Sequence, residues 1–487
     1  MPRPGRGNKN PLRCLLLIPS WVPEEIFSSK TSQSQINYWQ PLGTLYVASS
    51  LIQAGHEVNF LNGAFMSHEE IMAHVKSYKP EFAGIYSTTF GWKKALKTAK
   101  DIKDADKDIF ICTGGPYPIA MKDACLVDNI DAVVTGEGEL TVVEMLERLQ
   151  AGKGLEGVQG VIYKDSGKAV VNPPRPLIAD LDSIPFPKRE LLGDSSLYIP
   201  PPATYRRKPV AVMITSRGCN RQCIFCFQID KERKSGVRYR SVGNVMEEIE
   251  LCLRQGYREI KFLDDTFAAD YKRAMEIAHE IKARRLDFTW FASACVNQVD
   301  KPLLRAFKDA GCWAVLFGAE SGVQKNLNSI KKGTTIEQIK KAVQAAKDAG
   351  LKVSTPFMFG IPGETFEEGL QTIEFAIKLN PDMANFHAIT PFPGSYLYDN
   401  LQKYGTMSEE LTDFTYQGAA FVPYSMTKEQ IFELRRLAFK KFYSRPSFIL
   451  KKMMEMRSLN DIKTAAKSLR SLFYLWKGYR PHKEKGN

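Results

Sequence analysis

Cys219, Cys223 and Cys226 lie in the string Ser-Arg-Gly-Cys-Asn-Arg-Gln-Cys-Ile-Phe-Cys-Phe, with three and then two residues between them. That spacing lets one short loop wrap three thiolates around a cubane 4Fe–4S cluster. A structural cluster of this kind takes four cysteines, and the next in the chain is Cys252. Three ligands leave one iron open, and an open iron can bind and reduce a small molecule. Zinc at such a triad would want a histidine or a fourth cysteine at finger-like spacing. No histidine lies between Cys226 and His279. Disulfides do not suit nine scattered cysteines behind a start that is basic but has no long apolar segment after it. The triad reads as a catalytic cluster site.

The spacing, with Phe225 just before the last cysteine, resembles the signature of the radical S-adenosylmethionine (radical SAM) enzymes. The resemblance implies that the open iron chelates the amino and carboxylate groups of S-adenosylmethionine. One electron then splits the sulfonium to give a 5′-deoxyadenosyl radical.

Such a loop needs a scaffold, and from Val210 the chain alternates apolar runs with amphipathic helices. Strands are predicted at Val210–Thr215, Glu259–Leu263, Phe288–Ala292, Trp313–Phe317, Lys352–Phe359 and Met383–Ile389. Six βα units make a partial TIM-type barrel, whose active groups belong at the carboxyl ends of the strands. Those ends carry Asp264-Asp265-Thr266-Phe267, Gly318-Ala319-Glu320-Ser321-Gly322 and Gly360-Ile361-Pro362-Gly363-Glu364. The resemblance implies that Asp264 or Asp265 meets the amino group of S-adenosylmethionine, although the segment is Asp-Asp-Thr-Phe rather than Gly-Gly-Glu. It implies that Glu320 reaches the ribose or amino group, and that Gly360, Ile361, Gly363 and Glu364 pack against adenine through their backbone. Glu364 reads equally well as a carboxylate at a helix start. Cys295, just past the third barrel strand, is a candidate catalytic or proton-relay thiol, although a buried structural thiol is the commoner role. Cys14, Cys112, Cys125, Cys252 and Cys312 read as core.

The first 150 residues predict a doubly wound, Rossmann-like α/β sheet of five strands: Cys14–Ile18, Glu57–Leu61, Phe82–Tyr86, Ile109–Cys112 and Ala132–Val134. Ser67 with Glu70 three places on predicts a capped helix through Tyr78. Ligands bind such sheets at the strand carboxyl ends, where Pro41-Leu42-Gly43, Ser87-Thr88-Thr89, Gly114-Gly115 and Gly136-Glu137-Gly138 gather. Each alone is turn chemistry; four on one edge make a binding surface. With Gly-His-Glu-Val and Thr-Gly-Gly, these stretches resemble the cobalamin-binding domain of one large radical SAM class. The Asp-x-His-x-x-Gly motif of other cobalamin domains is absent, so the resemblance implies cobalt without a histidine ligand. Phe90 or Trp92 is the candidate cover for the lower cobalt face.

Between these modules, residues 151–208 read as a hairpin over Gly157–Val171 followed by a proline-rich connector. The barrel is expected over 209–405, and a basic helical region over 406–487 with helices Lys428–Tyr443, Ser447–Met456 and Asp461–Trp476. Of the net charge of +13, a balance of +11 falls between Lys428 and Lys485, from sixteen Lys or Arg against five Asp or Glu. The rest is close to neutral, which argues against a nucleic-acid enzyme. No run of about 18 apolar residues exists to span a bilayer. Free thiols and an exposed cluster suit a reducing, oxygen-poor cytoplasm.

The domain order resembles that of cobalamin-dependent radical SAM C-methyltransferases. The resemblance implies that the radical removes hydrogen from an unactivated carbon, that methylcobalamin delivers the methyl group, and that a second S-adenosylmethionine remethylates cobalt. It also implies a reductant such as ferredoxin or flavodoxin. The basic tail suits an acidic protein or peptide substrate, for instance the glutamine of methyl-coenzyme M reductase. The anaerobic magnesium-protoporphyrin monomethyl ester cyclases share the order and would transfer no methyl group. A cobalamin sensor with a degenerate barrel is a third reading, opposed by the intact cysteine triad.

Overall fold

The apolar runs become strands of two parallel sheets because each is too short for a helix and bounded by turn residues. The computed structural model describes residues 10–22, 38–200, 204–230, 234–408, 414 and 418–455. Among these, 10–22 and 40–198 form one compact unit, and 38–39 with 199–455 form another. The expected helix Asp461–Trp476 lies outside the described residues.

In the first unit, β1 (Arg13–Ile18), β2 (Glu57–Asn62), β3 (Phe82–Tyr86), β4 (Phe110–Gly114) and β5 (Ala132–Val134) pair in parallel in the order β2-β1-β3-β4-β5. Cys14 to Leu17 of β1 are all buried, as a central strand covered on both faces requires. Ser67 and Glu70 form the expected reciprocal cap of helix His68–Tyr78. The hairpin that the sequence placed in a connector instead belongs to this sheet. Its strands β6 (Val161–Asp165) and β7 (Lys168–Val171) extend it antiparallel, with Ala132 opposite Tyr163. The three-residue β5 would otherwise leave an open edge.

The second unit carries the predicted six parallel strands: β8 (Val210–Met213), then β11 (Glu259–Phe262), β12 (Thr289–Ala294), β13 (Cys312–Phe317), β14 (Lys352–Phe359) and β15 (Met383–Ala388). Their order is β15-β14-β13-β12-β11-β8. The intervening β9 (Ser216–Arg217) and β10 (Arg238–Tyr239) make a separate antiparallel pair. Alternate residues such as Ile260, Phe262, Trp290, Phe317, Phe357 and Phe386 are buried in one continuous core. The residues between them point into the barrel.

Helix Lys428–Tyr443, expected in a separate C-terminal region, packs on this core through Ile431, Leu434, Ala438 and Phe442. It also covers the open edge of β15. The Tyr443 hydroxyl accepts from the Ala384 amide at 3.1 Å and donates to its carbonyl at 2.6 Å, while Arg435 Nε donates to the Phe386 carbonyl at 3.3 Å. A short β16 (Gly405–Met407) and β17 (Phe421–Pro423) pair antiparallel before this helix. Among the described residues no helix is long and apolar enough to cross a membrane.

Replacing Tyr443 by Phe strips both partners from the Ala384 peptide. The expected cost is about 1–3 kcal/mol; accelerated amide exchange at Ala384 against unchanged exchange in β1 is the measurement that checks it.

Candidate active site

Strand β8 delivers the cysteine loop, and β9 with β10 closes its neck by pairing Arg217 with Arg238 and Ser216 with Tyr239. Gly218, immediately before Cys219, has φ +94°, and a Cβ there would stand 2.6 Å from the Gly236 carbonyl oxygen. Only glycine passes this point. Midway round the loop Ile224 turns inward against Ile330, Met358, Ile361 and Leu397. Its N–H donates to the Ile330 carbonyl at 3.1 Å, and its carbonyl accepts from the Leu397 N–H at 2.8 Å. Burying that side chain contributes about 1.5–3 kcal/mol, which anchors the loop without metal.

Cys223 is buried, Cys219 half-buried and Cys226 exposed. The three sulfurs lie within electrostatic reach of one another. Burial pushes the Cys219 thiol up and the Cys223 thiol to about 11, the latter opposed by the Lys332 ammonium. Among the described residues no three His, Cys, Asp or Glu side chains surround a single metal position. Three thiols spaced along one loop would suit a cubane, in which each thiolate binds a different iron.

The adjacent aspartates part company. Asp264 is buried; its Oδ1 accepts from the Thr215 amide at 3.1 Å, the Thr215 hydroxyl at 2.8 Å and the Ser216 hydroxyl. Burial raises its carboxyl, against those bonds and the charge of Arg273. Asp264 therefore clamps the end of β8 beneath the cysteine loop. Asp265 is exposed, and its charge is felt at Cys219.

Glu320 sits at φ +61°, held by bridge hydrogen bonds from its N–H to the Pro356 carbonyl at 3.0 Å and from the Met358 N–H to its carbonyl at 2.8 Å. Its Oε1 takes the Lys332 ammonium at 2.7 Å. A Cβ at Gly318 would stand 2.4 Å from that oxygen and 2.6 Å from Lys332 Nζ. Burial alone would lower the Lys332 ammonium, but Glu320 first, then Cys223, hold it above the usual range. Lys332 is the residue that sequence reasoning missed: it stands twelve residues beyond Glu320, in no motif.

Cys295 is half-buried and lies within electrostatic reach of Cys219 and Lys332. Its loop is tied to the cysteine loop by Gln298 Nε2 donating to Asn220 Oδ1 at 3.4 Å and by Arg221 bonding to Asn297. Ile361 buries its side chain beside Ile224. Glu364 is fully buried and closes its own turn, Oε2 accepting from the Gly360 amide at 2.7 Å and the Ile361 amide at 3.1 Å. Its carboxylate thus engages the backbone of its own turn, and the N-cap of the following helix is Thr365.

In the first unit, the four strand-end segments follow β1, β3, β4 and β5, which are consecutive in the sheet. Gly43 and Gly136 have no atom within 4 Å of where a Cβ would stand, so packing does not demand glycine there. The space beside the backbone is open at both positions. Gly115, at φ +104°, has a different reason: a Cβ would meet the Ser87 carbonyl at 2.7 Å. Thr88 Oγ1 accepts from the Gly91 amide at 3.3 Å, while Ser87 and Thr89 are buried and Phe90 is half-buried beside them. Other members face inward. Leu42 is core, Glu137 binds the Ile178 amide at 2.7 Å, and a Cβ at Gly138 would press Val47 at 3.0 Å. Trp92 is buried against Tyr117, ring centroids 5.2 Å apart.

Comparison with known proteins identifies both domains. Residues 213–376 match the radical SAM superfamily and residues 36–146 the B12 binding domain. An uncharacterized methyltransferase of Pyrococcus horikoshii is 36% identical over 456 residues, covering 89% of this chain and 94% of its own. The anaerobic magnesium-protoporphyrin IX monomethyl ester cyclase of Rubrivivax gelatinosus is 29% identical, over 84% of this chain and 75% of its own. Among solved structures, the radical S-adenosylmethionine methyltransferase TsrM of Kitasatospora setae, with cobalamin and cluster bound, superposes with a TM-score of 0.65 at 16% identity. It covers 96% of this chain and 99% of its own.

Burial raises the Glu364 carboxyl from 4.5 to about 8, outweighing the bonds from Ile361 and Gly360. Between those values the folded chain holds a proton that the unfolded chain has lost, so its contribution to stability falls as pH rises and levels off above about 8. The slope approaches ~1.4 kcal/mol per pH unit. Among the described residues Asn326 Oδ1 is buried without a hydrogen-bond partner, while its Nδ2 donates to Glu364 Oε1 at 3.3 Å. Glu364→Gln should flatten this slope in denaturant midpoints taken from pH 5 to 8; an unchanged slope would place the titration elsewhere.

Proposed function

The chain belongs to the cobalamin-binding radical SAM methyltransferases, and we propose that it methylates an unactivated carbon of a protein or peptide residue. The observation that carries this reading is the gathering of Cys219, Cys223 and Cys226 with Asp265, Cys295 and the Glu320–Lys332 pair at the carboxyl ends of the barrel strands. When bound, the cluster, S-adenosylmethionine and cobalamin supply the electron, the hydrogen-abstracting radical and the methyl group.

The chain's own part is to hold and orient. Cys219, Cys223 and Cys226 hold the cluster through sulfur. Asp265, not its buried neighbour, receives the amino group of S-adenosylmethionine. Glu320, steadied by Lys332, meets the ribose or amino group, and the backbone of Gly360 and Ile361 meets adenine. Cys295 stands on the substrate side as a proton-relay thiol. Pro41, Gly43, Ser87, Thr88, Thr89, Phe90, Gly114, Gly115 and Gly136 form the cobalamin floor; Leu42, Trp92, Glu137 and Gly138 shape it from beneath. A ferredoxin or flavodoxin supplies electrons. The +11 balance over Lys428–Lys485 supports an acidic protein or peptide as substrate.

The likeness to the Rubrivivax cyclase favours a second reading, cyclisation without methyl transfer. Anaerobically reconstituted enzyme should yield deoxyadenosine together with S-adenosylhomocysteine; deoxyadenosine alone would favour cyclisation. Cys223→Ala should abolish deoxyadenosine formation and keep the cobalamin absorbance, and persistent cleavage would refute the ligand assignment. Asp265→Asn should raise the KM for S-adenosylmethionine about 10–100-fold, the equivalent of a bond to a charged group. Asp264→Asn should instead lower thermal stability and iron content.

A further inference from the structure

The barrel interior holds a cation that none of these roles uses. On β11 the outward residues Ile260 and Phe262 are buried in the core, whereas Glu259 and Lys261 turn inward. Glu259 is fully engaged. Its Oε2 accepts from the amides of Arg206 at 2.6 Å and Arg207 at 2.8 Å and from the Thr289 hydroxyl at 2.8 Å, and its Oε1 from Trp313 Nε1 at 2.9 Å. Those contacts plug the amino-terminal end of the barrel.

One layer above, Lys261 Nζ stands 4.3 Å from the centroid of the Trp39 ring and 4.4 Å from that of Phe291. Among the described residues its ammonium has no hydrogen bond and no carboxylate partner; the two ring faces are its contacts. Burial lowers it to about 8, with Glu259 opposing. Toward the open end, the inward positions Ser293, Leu316, Met383 and His387 are all partly accessible, unlike their outward neighbours. A lysine in the low-dielectric interior normally carries a counter-charge. Here two aromatic walls stabilise the cation by their quadrupoles and supply no counter-charge. The other interior ammonium near the site, Lys332, is neutralised by Glu320.

We propose that Lys261 is the substrate-orienting cation of this barrel: it receives a carboxylate of the substrate, whose aliphatic part lies against Trp39 and Phe291. This rests on reading the barrel as the methylation site, and it deepens that reading by specifying a carboxylate-bearing segment. Orientation by an ammonium at the closed end would set which carbon is presented at the strand ends, so Lys261 is a positioning residue rather than a catalytic one.

The test uses the reconstituted holoenzyme, lysine acetylation read residue by residue by mass spectrometry, and glutarate as the probe with glutaramide as its uncharged counterpart. Lys261 should acetylate faster than exposed lysines at pH 7.5, and glutarate should slow it at least threefold while glutaramide leaves it unchanged. Equal effects of the two compounds, no effect of either, or a Lys261 that never acetylates would each overturn the proposal. Lys261→Met should lose glutarate binding in equilibrium dialysis and keep its iron and cobalamin content; retained binding would overturn it too. Failure of the holoenzyme to form S-adenosylhomocysteine would sink the methylation reading and leave these labelling results standing.

Discussion

A cluster held by three thiolates needs a loop that the polypeptide itself keeps in shape, and this requirement organises the barrel's active end. A fourth ligand would clamp the loop from outside; without one, the constraint comes from within. The antiparallel neck of β9 and β10, the close pass of Gly218 over Gly236, and the buried Ile224 each fix one part of the loop. Asp264 fixes the strand end beneath. Side chains of the loop after β12 reach across to Asn220 and Arg221 and tie the cysteine loop to the Cys295 segment. Preorganisation of this kind would hold the three thiols ready for a cluster.

Buried carboxylates follow the same economy of position. Asp264, Glu259, Glu320 and Glu364 all lie at strand ends or inside the barrel, and each meets a different set of backbone or cationic donors. A carboxylate is held there because it accepts several hydrogen bonds at once, which a neutral side chain of that size does not. Asp265 differs from these in being exposed at the rim. Lys261 differs from the other interior ammonium, Lys332, in having rings rather than a carboxylate as its neighbours among the described residues.

Much of this was legible in the residue order. The six βα units, the five parallel strands of the first sheet and the Ser67 cap are local patterns, and the structure reproduces them at nearly the expected bounds. Two assignments moved. The hairpin over 161–171 joins the first sheet, and helix Lys428–Tyr443 joins the barrel core. Both are edge-covering elements. Their own residues look like a connector and a basic helix, and the unsatisfied strand edges they cover lie far away in the chain.

Period, spacing and turn chemistry act over a few residues, so the sequence alone determined the element types, the position of the cysteine loop and which strand ends carry polar groups. Only the tertiary structure decided that Asp264 turns inward while Asp265 turns out, that Lys332 answers Glu320, that Glu364 closes its own turn, and that Lys261 stands between Trp39 and Phe291. Charge neutralisation and burial are through-space quantities. They depend on which residues the sheet register brings within a few ångströms, and no spacing along the chain encodes that.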